Sequence, residues 1–390
     1  MFFLILNSGS SSLKFQVIEM AKEEALFKGI VDGIGQDECF LKTEDKDGKT
    51  QVLEQKVPNH EEALALVLAQ LKNAQVLDKI NAIGHRVVHG GEKYRAATLV
   101  SDKVLADIQE LSDLAPLHNP ANLSGIYGCK KFFPNIPNIA VFDTAFHQTL
   151  PAKAYLYGLP YELYEKFRIR KYGFHGISHQ YVSQEAMKVL KENIKDFKIL
   201  SCHLGAGASI CAILKGKSVE ISMGFTPLEG LMMGTRAGSF DPEIIIYLLR
   251  KGYKLEEVEE MIQKKGGLKG ISQTSNDVRE LREDELSGNL KSELAFEMFV
   301  YRIQRFIGSY SAVLGGLEIL IFTGGVGEKA YYLRKRVCEP FGYLSLKLDS
   351  RKNKANETII STPDSEVTTL VIPSNEELQI ARESYQLLKT

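Results

Sequence analysis

Two stretches of this chain follow one plan and stand half its length apart. FLILNSGSSSLKFQVI, residues 3–18, and KILSCHLGAGASICAIL, residues 198–214, each run from a strand-like apolar segment through a tip of small residues into a second strand-like segment, with Gly9 and Gly205 in step. Identity between the two is slight, since hairpins resemble one another, but each stands at the start of one half. Duplication of this kind predicts two related domains, each opening on a hairpin, with the two tips facing each other across a cleft. The first tip, NSGSSSLKF, reads in two ways. Gly9 with its serines is an ordinary chain reversal, or its backbone N–H groups and hydroxyls cradle phosphate oxygens with Lys14 adding charge. A Walker A loop is excluded, because the G-x-x-x-x-G-K-[ST] spacing is absent and a strand follows Lys14.

A length of 390 residues suits two domains, each large enough for its own core. Lys and Arg number 48 against 49 Asp and Glu, a net charge of −1, and nothing in that balance points to nucleic acid or a membrane surface. Cys39, Cys129, Cys202, Cys211 and Cys338 are scattered without a C-x-x-C pair. That fits reduced, buried thiols of a cytoplasmic protein better than a disulfide frame or a zinc site. The opening apolar run lacks a basic segment ahead of it and is shorter than a signal-peptide core. Runs such as ILIF are strand-sized, too short to span a bilayer.

Strand-like runs, among them FFLIL, LKFQVI, AIGHRVVH, NIAVF, KILSCHL, SICAIL and EILIF, alternate with segments whose apolar residues recur at helical spacing. EEALALVLAQLKNAQVL, SDKVLADIQELSDL and SELAFEMFVYRIQRFIGSYSAVL are examples of the latter. The rhythm predicts an α/β fold of mixed sheets flanked by helices. A boundary falls near VFDTAFHQTLP, where a strand ends in a polar turn, and KLDSRKNKANETIISTPDSEVTT reads as a surface hairpin.

Several short segments could carry chemistry. GHRVVHGGEKY sets Arg86 inside an apolar strand, where a guanidinium needs an anionic partner, either a structural carboxylate or a ligand. His85 and His89 are four apart but lack the H-E-x-x-H glutamate and the helical pattern of a zinc site. VFDTAFHQ puts Asp143 at a strand end, a usual place for functional side chains in open α/β sheets and equally for a turn-capping Asp. The glycine-rich segment 223–243 holds Arg236 near Gly234 and Gly238, so backbone there can approach a ligand closely. KYGFHGISH offers His175 beside Phe174, and IFTGGVGEKAYYLR is a strand, a glycine-rich turn and a helix suited to phosphate. Glycine-rich tips after strands, two arginines and a strand-end aspartate are together what phosphoryl transfer requires.

Taken in order, NSGSSSLKF, GHRVVHGGEKY, APLHNP, VFDTAFHQT, RKYGFHGISH, SMGFTPLEGLMMGTR, SNDVR, FTGGVGE and PSNEEL resemble the acetokinase family over essentially the whole length. The resemblance implies duplicated actin-like (ribonuclease H-like) domains, 1–147 with 374–390 and 148–373, the second carrying most nucleotide contacts. It implies a homodimer, acetate and ATP as substrates, acetyl phosphate and ADP as products, and Mg²⁺, for which Mn²⁺ can substitute. Asn7 and Glu376 correspond to metal-site residues and Lys14 to a nucleotide-phosphate contact. Arg86 and Arg236 resemble the pair that holds the acyl substrate and neutralises the moving phosphoryl group, His175 a transition-state donor, and Asp143 the essential acid. His203, Leu204, Gly205, Ala206 and Gly207 match one nucleotide segment, Asp277, Val278 and Arg279 a second, and Gly325, Val326, Gly327, Glu328 and Lys329 a third. Val88, Leu117, Phe174 and Pro227 fall where the family lines an apolar pocket for the substrate methyl group. Ala206 and Lys329 depart from the family's usual asparagines, which predicts altered nucleotide affinity or preference.

A carboxylate acceptor is already ionised at neutral pH, since such acids titrate near about 4. No general base is needed, so Asp143 reads as an orienting group. The rival readings are a propionate or butyrate kinase, and a catalytically weakened nucleotide-binding module in which the arginines and the apolar pocket would have no task.

Overall fold

The computed structural model describes residues 1–116 and 118–389, and the chain divides into two compact units, Met1–Phe146 with Asn375–Thr390 and His147–Ser374. The first is built on eight strands: β1 (Phe2–Ser8), β2 (Ser12–Glu19), β3 (Glu24–Asp32), β4 (Phe40–Asp45), β5 (Thr50–Glu54), β6 (Ile80–Val87), β7 (Thr98–Leu99) and β8 (Asn138–Phe142). They lie in the order β5-β4-β3-β2-β1-β6-β8-β7. β1 through β5 form an antiparallel meander, whereas β1, β6 and β8 run parallel, so their carboxyl ends reach the same edge of the sheet.

Alternation along β1 explains how both faces are covered. Leu4 and Leu6 enter one core with Phe15, Val17, Leu64, Val67 and Leu71, the last three from the helix His60–Asn73. That helix starts where Asn59 accepts a hydrogen bond from the Glu62 amide at 2.9 Å. Phe3 and Ile5 point the other way, toward the final helix, Glu376–Lys389; the Phe3 and Tyr385 rings meet edge to face at 6.1 Å. Gly84 of β6 permits this packing, because a Cβ there would lie 2.8 Å from Ile5, 2.9 Å from Ile380 and 3.1 Å from Ser384.

The second unit has five strands, β9 (Lys198–Leu204), β10 (Ala208–Leu214), β11 (Lys217–Ile221), β12 (Ile319–Thr323) and β13 (Thr368–Val371), ordered β11-β10-β9-β12-β13. β12 is buried throughout, and the helices Gly176–Leu190 and Leu290–Leu314 pack against this sheet. The unit repeats the plan of the first. A hairpin, β9–β10, is followed by two parallel neighbours, β12 and β13, just as β1–β2 is followed by β6 and β8. The two hairpins that echo each other in sequence are therefore equivalent in topology.

Two local readings change. Residues 24–54 form three further strands that no apolar run announced; β5 is exposed along its whole length, so nothing imposes alternation on it. Residues 347–369 are more than a surface hairpin. Asp349 caps a short helix, Ser350–Lys354, and the segment's end enters the sheet as β13, with bridges Leu348 to Ser361 and Ile359 to Leu370. All five cysteines are buried free thiols, and no helix among the described residues is long and apolar enough to cross a membrane.

Substituting Gly84→Val should push the final helix off β6 and lower stability by about 1–3 kcal/mol. Urea unfolding checks this through a lowered midpoint at an unchanged slope.

Candidate active site

In the first unit the parallel strands deliver their polar residues to one place. Asn7 lies near the end of β1, directly opposite Lys14 on β2, and Arg86 lies on β6 one residue before its end. Asp143 follows β8 immediately, its amide donating to the Val87 carbonyl at 3.0 Å. The Arg86 guanidinium donates through Nε to Asp143 Oδ1 at 3.2 Å, through Nη2 to Asp143 Oδ2, and through Nη1 to Asn7 Oδ1 at 3.1 Å. Glu376, the first residue of the final helix, brings Oε2 to 3.6 Å from Nε. Burial alone would lower the guanidinium's pKa; the charges of Asp143, Glu376 and Glu377 outweigh it and leave the pKa above its ordinary value. Glu377 is raised by burial and then by the charge of Glu376, against the attraction of Lys14 and Arg86.

In the second unit His175 stands at φ 58, a left-handed conformation unusual for a side chain of this bulk, at the start of the helix Gly176–Leu190. Its Nδ1 is 2.9 Å from Ser209 Oγ on β10, and its ring lies 4.4 Å from that of His203 on β9. The β9–β10 tip comes next to it: a Cβ on Gly207 would be 3.4 Å from His175 Nε2 and 3.8 Å from Arg236 Nη1. Arg236 donates from Nη1 to the Pro227 carbonyl at 3.1 Å and lies 3.4 Å from Met233 Sδ. No carboxylate among the described residues pairs with it, and burial pulls its pKa below the ordinary value.

A cavity of about 580 Å³ opens beside the same tip. Gly205, Ala206, Asp277, Val278 and Arg279 line one part of it, and Gly325, Val326 and Lys329 another. The tip is tied down where the Gly234 amide donates to the Ala206 carbonyl at 3.4 Å. Gly324, at φ +76, lets the third segment close on β9, since a Cβ would lie 2.6 Å from the Leu204 carbonyl. Arg334 holds that segment from behind: Nη1 donates to the carbonyls of Gly327 at 2.7 Å and Glu328 at 2.9 Å, while Nε donates to Asn353 Oδ1 at 2.8 Å.

The residues expected from the sequence thus separate. Asn7, Lys14, Arg86, Asp143 and Glu376 gather in the first unit, and His175, Gly207, Pro227 and Arg236 in the second. Six residues expected at the nucleotide do not line the cavity. Lys14 lies on β2 in the first unit, Gly207 adjoins His175 and Arg236, the His203 ring lies against that of His175 at a tilt of 32°, Leu204 is core, Gly327 is buried, and Glu328 accepts from the Ser374 amide at 2.9 Å. Val88 is buried in the first unit, Phe174 is buried in the second, and Leu117 lies outside the described residues. Sequence reasoning missed Asn276, Ala330 and Tyr332, which also line the cavity. Asn276 adjoins Asp277 in the quoted SNDVR, and Tyr332 follows Lys329 by three, signals that were present.

A duplicated mixed-sheet fold with glycine-rich tips, a half-buried Arg86 near the end of β6 and a half-buried Arg236 in a glycine-rich loop suits a phosphoryl-transferring enzyme, and the chain's relatives identify the class as a kinase. The family model described as the Acetokinase family matches residues 2–382. An acetate kinase of Halothermothrix orenii is 48% identical over 395 residues, 99% of this chain and 99% of its own. One of Thermotoga maritima is 48% identical over 397 residues, 99% of this chain and 98% of its own. The crystal structure of Porphyromonas gingivalis acetate kinase matches with a TM-score of 0.93 at 41% identity, covering 99% of each chain. That of a propionate kinase from Francisella tularensis matches with a TM-score of 0.93 at 40% identity, covering 98% of each. The chain belongs to the acetokinase family.

Histidines that support these elements are buried and neutral. His147 lies 2.8 Å from Ser218 Oγ through Nδ1 and 3.0 Å from the Phe174 carbonyl through Nε2, and burial lowers its pKa to about 4. His85, bonded to Asn138 Oδ1 at 2.7 Å, is lowered to about 4 by burial as well. A base whose folded pKa is depressed binds more protons unfolded, so its contribution is fully present above about pH 6.5 and is lost as pH falls toward about 4. Stability should fall by up to roughly 1.4 kcal/mol per pH unit for each such histidine across that window. Urea titrations at pH 7, 6 and 5 should show this, with a shallower slope in His85→Gln.

Proposed function

We propose that this chain is an acetate kinase, which transfers the γ-phosphoryl group of ATP reversibly to acetate. An acetate oxygen attacks the γ-phosphorus, the bond from phosphorus to the bridging oxygen breaks, and ADP leaves with the electron pair. The observation that carries the reading is Arg236, a largely buried cation held by a carbonyl and a thioether with no carboxylate partner among the described residues. Such a group gains most when an anion reaches it, and phosphoryl transfer delivers one. Repulsion between two anions is the barrier to be lowered, and Arg86, Arg236 and His175 are the groups assigned to lowering it. Asp143 grips Arg86 through two oxygens and thereby orients it; no proton transfer is required of it.

The donors of Asn7 and Glu376 are an amide oxygen and a carboxylate, a set suited to Mg²⁺, which is bound through one or two protein oxygens, waters and phosphates. When bound, that ion would neutralise charge on the phosphates; Mn²⁺ accepts the same donors. Lys14 contacts nucleotide phosphate in this reading, and Ala206 and Lys329 adjust nucleotide preference, the latter by placing an ammonium on the cavity wall. Val88 of the first unit and Phe174 and Pro227 of the second are the described residues assigned to the acetate methyl group in this reading. Propionate is the second reading, since a propionate kinase matches with the same TM-score of 0.93 as the acetate kinase and the fold does not separate the two acids. One methylene changes discrimination by about 1–3 kcal/mol, so the preference is graded. Homodimerisation fits the helix Glu243–Arg250, which exposes Ile244, Tyr247 and Leu249 and buries no residue. In this reading the enzyme acts in the cytoplasm.

Trapping acyl phosphate with hydroxylamine, from Mg-ATP with acetate, propionate or butyrate, tests the assignment; turnover should be highest with acetate, and no product from any acid would remove it. Arg86→Ala should chiefly raise the acetate KM, whereas Arg236→Ala should chiefly lower kcat, by roughly 10³-fold. Equal effects on both parameters in both variants would overturn that division. Asp143→Asn should be weakly active with an unchanged pH profile, and a displaced profile would make Asp143 a proton carrier.

A further inference from the structure

A neutral imidazole has one N–H, and which nitrogen bears it decides whether the other end donates or accepts. His175 is assigned above as a donor to the transferring phosphoryl group, which requires the proton on Nε2, the nitrogen facing Gly207. The structure contains a chain of groups that can impose this. Ser209 Oγ stands between two rings, 2.9 Å from His175 Nδ1 and 2.8 Å from His179 Nε2, and His179 Nδ1 lies 2.8 Å from Ser201 Oγ. Ser201, His179 and Ser209 are all fully buried.

The direction of these bonds follows from counting hydrogens. Among the described residues, Ser201 Oγ has one side-chain partner, His179 Nδ1. If Ser201 accepted from that nitrogen, its own hydrogen would be buried without an acceptor, a costly arrangement. Ser201 therefore donates to Nδ1. His179 is neutral, its pKa held far below the ordinary value by burial and then by the neighbouring His147 and His203. Its single proton is consequently on Nε2 and is donated to Ser209. Ser209 passes its own hydrogen to His175 Nδ1, and the His175 proton is left on Nε2. His203 lies against the His175 ring, tilted by 32° with centroids 4.4 Å apart, and its own Nδ1 is bonded to Ser178 Oγ at 2.7 Å.

We propose that Ser201, His179 and Ser209 form a hydrogen-bond relay that fixes His175 as the Nε2–H tautomer, so that it donates toward the phosphoryl group. The inference deepens the kinase reading and rests on it for the meaning of the donor, but the tautomer itself is measurable without turnover. Three positioning residues act through one catalytic group, and the farthest, Ser201, is separated from it by a histidine and a serine.

The test is a two-bond ¹H–¹⁵N correlation spectrum of the full-length enzyme labelled with ¹⁵N-histidine, with the His175 signals assigned by their loss in His175→Gln. Wild type should show the proton on Nε2. Ser201→Ala should release the preference, moving the His175 signals toward a mixture of tautomers and lowering kcat on the order of 10-fold, the value of one hydrogen bond, with both KM values unchanged. Ser201→Thr, which keeps the hydroxyl, should restore both. A proton on Nδ1 in wild type overturns the proposal, as does a Ser201→Ala enzyme with wild-type tautomer and kcat. If Ser201→Ala fails to fold, the wild-type spectrum decides. If no acyl phosphate forms, the kinase reading fails while the spectrum still reports the relay.

Discussion

The guanidinium of Arg86 sits among more negative charge than it needs, and the architecture of the first unit converges on it. β1 brings Asn7, β6 brings the arginine, the end of β8 brings Asp143, and the final helix brings Glu376. Each group arrives only because the three strands are parallel and end at the same edge. A planar fork suits this duty better than an ammonium, since it meets both oxygens of Asp143 while a third nitrogen reaches Asn7. In the proposed function the excess of acid has a use: Asp143 satisfies the cation, and the oxygens of Asn7 and Glu376 would serve as donors to a divalent ion.

Arg334 is the contrary case. It is fully buried, and its hydrogen-bond partners among the described residues are neutral oxygens: the carbonyls of Gly327, Glu328 and Asn353, and the amide oxygens of Asn353 and Asn356. Burial lowers its pKa to about 10, which leaves it charged at neutral pH. A cation without a carboxylate can occupy such a place only if all its donors are used. The constraint runs in both directions: the arginine is tolerated because the carbonyls of Gly327 and Glu328 meet it, and that segment of the cavity wall is rigid because the arginine holds it.

Much of this was legible in the sequence, and the rest was hidden for physical reasons. Strand ends, glycine tips and the two echoing hairpins show locally, because small residues and apolar runs leave a short-range signature. Arg86 and Asp143 each read ambiguously alone, and only β6 and β8 lying side by side makes them partners, 57 positions apart. The relay residues left no such mark. Ser201, Ser209 and His179 look like ordinary occupants of buried strands and a helix, and their meaning lies in directions of hydrogen bonds that spacing does not record. β5 escaped because it is exposed along its whole length, and β4 because its two inward residues are Leu41 and the polar Thr43 while the apolar Phe40 is exposed, so its alternation is not written in apolar residues.

The two arginines assigned to the chemistry are placed in opposite electrostatic situations, and the proposed division of labour rests on this difference. Arg86 has its pKa raised by neighbouring carboxylates, so its charge is already compensated before substrate binds. An added anion gains little from it beyond position, which is what holding a small carboxylate requires. Arg236 has its pKa lowered by burial, with only a carbonyl and a thioether for company. Its cost of desolvation is already met in the folded protein, so an anion that develops nearby meets a cation with no competing partner. Stabilisation that is strongest where charge is moving raises the rate, whereas stabilisation present throughout only raises affinity. The undercompensated arginine is therefore the one suited to the transition state, and the compensated one to the ground state.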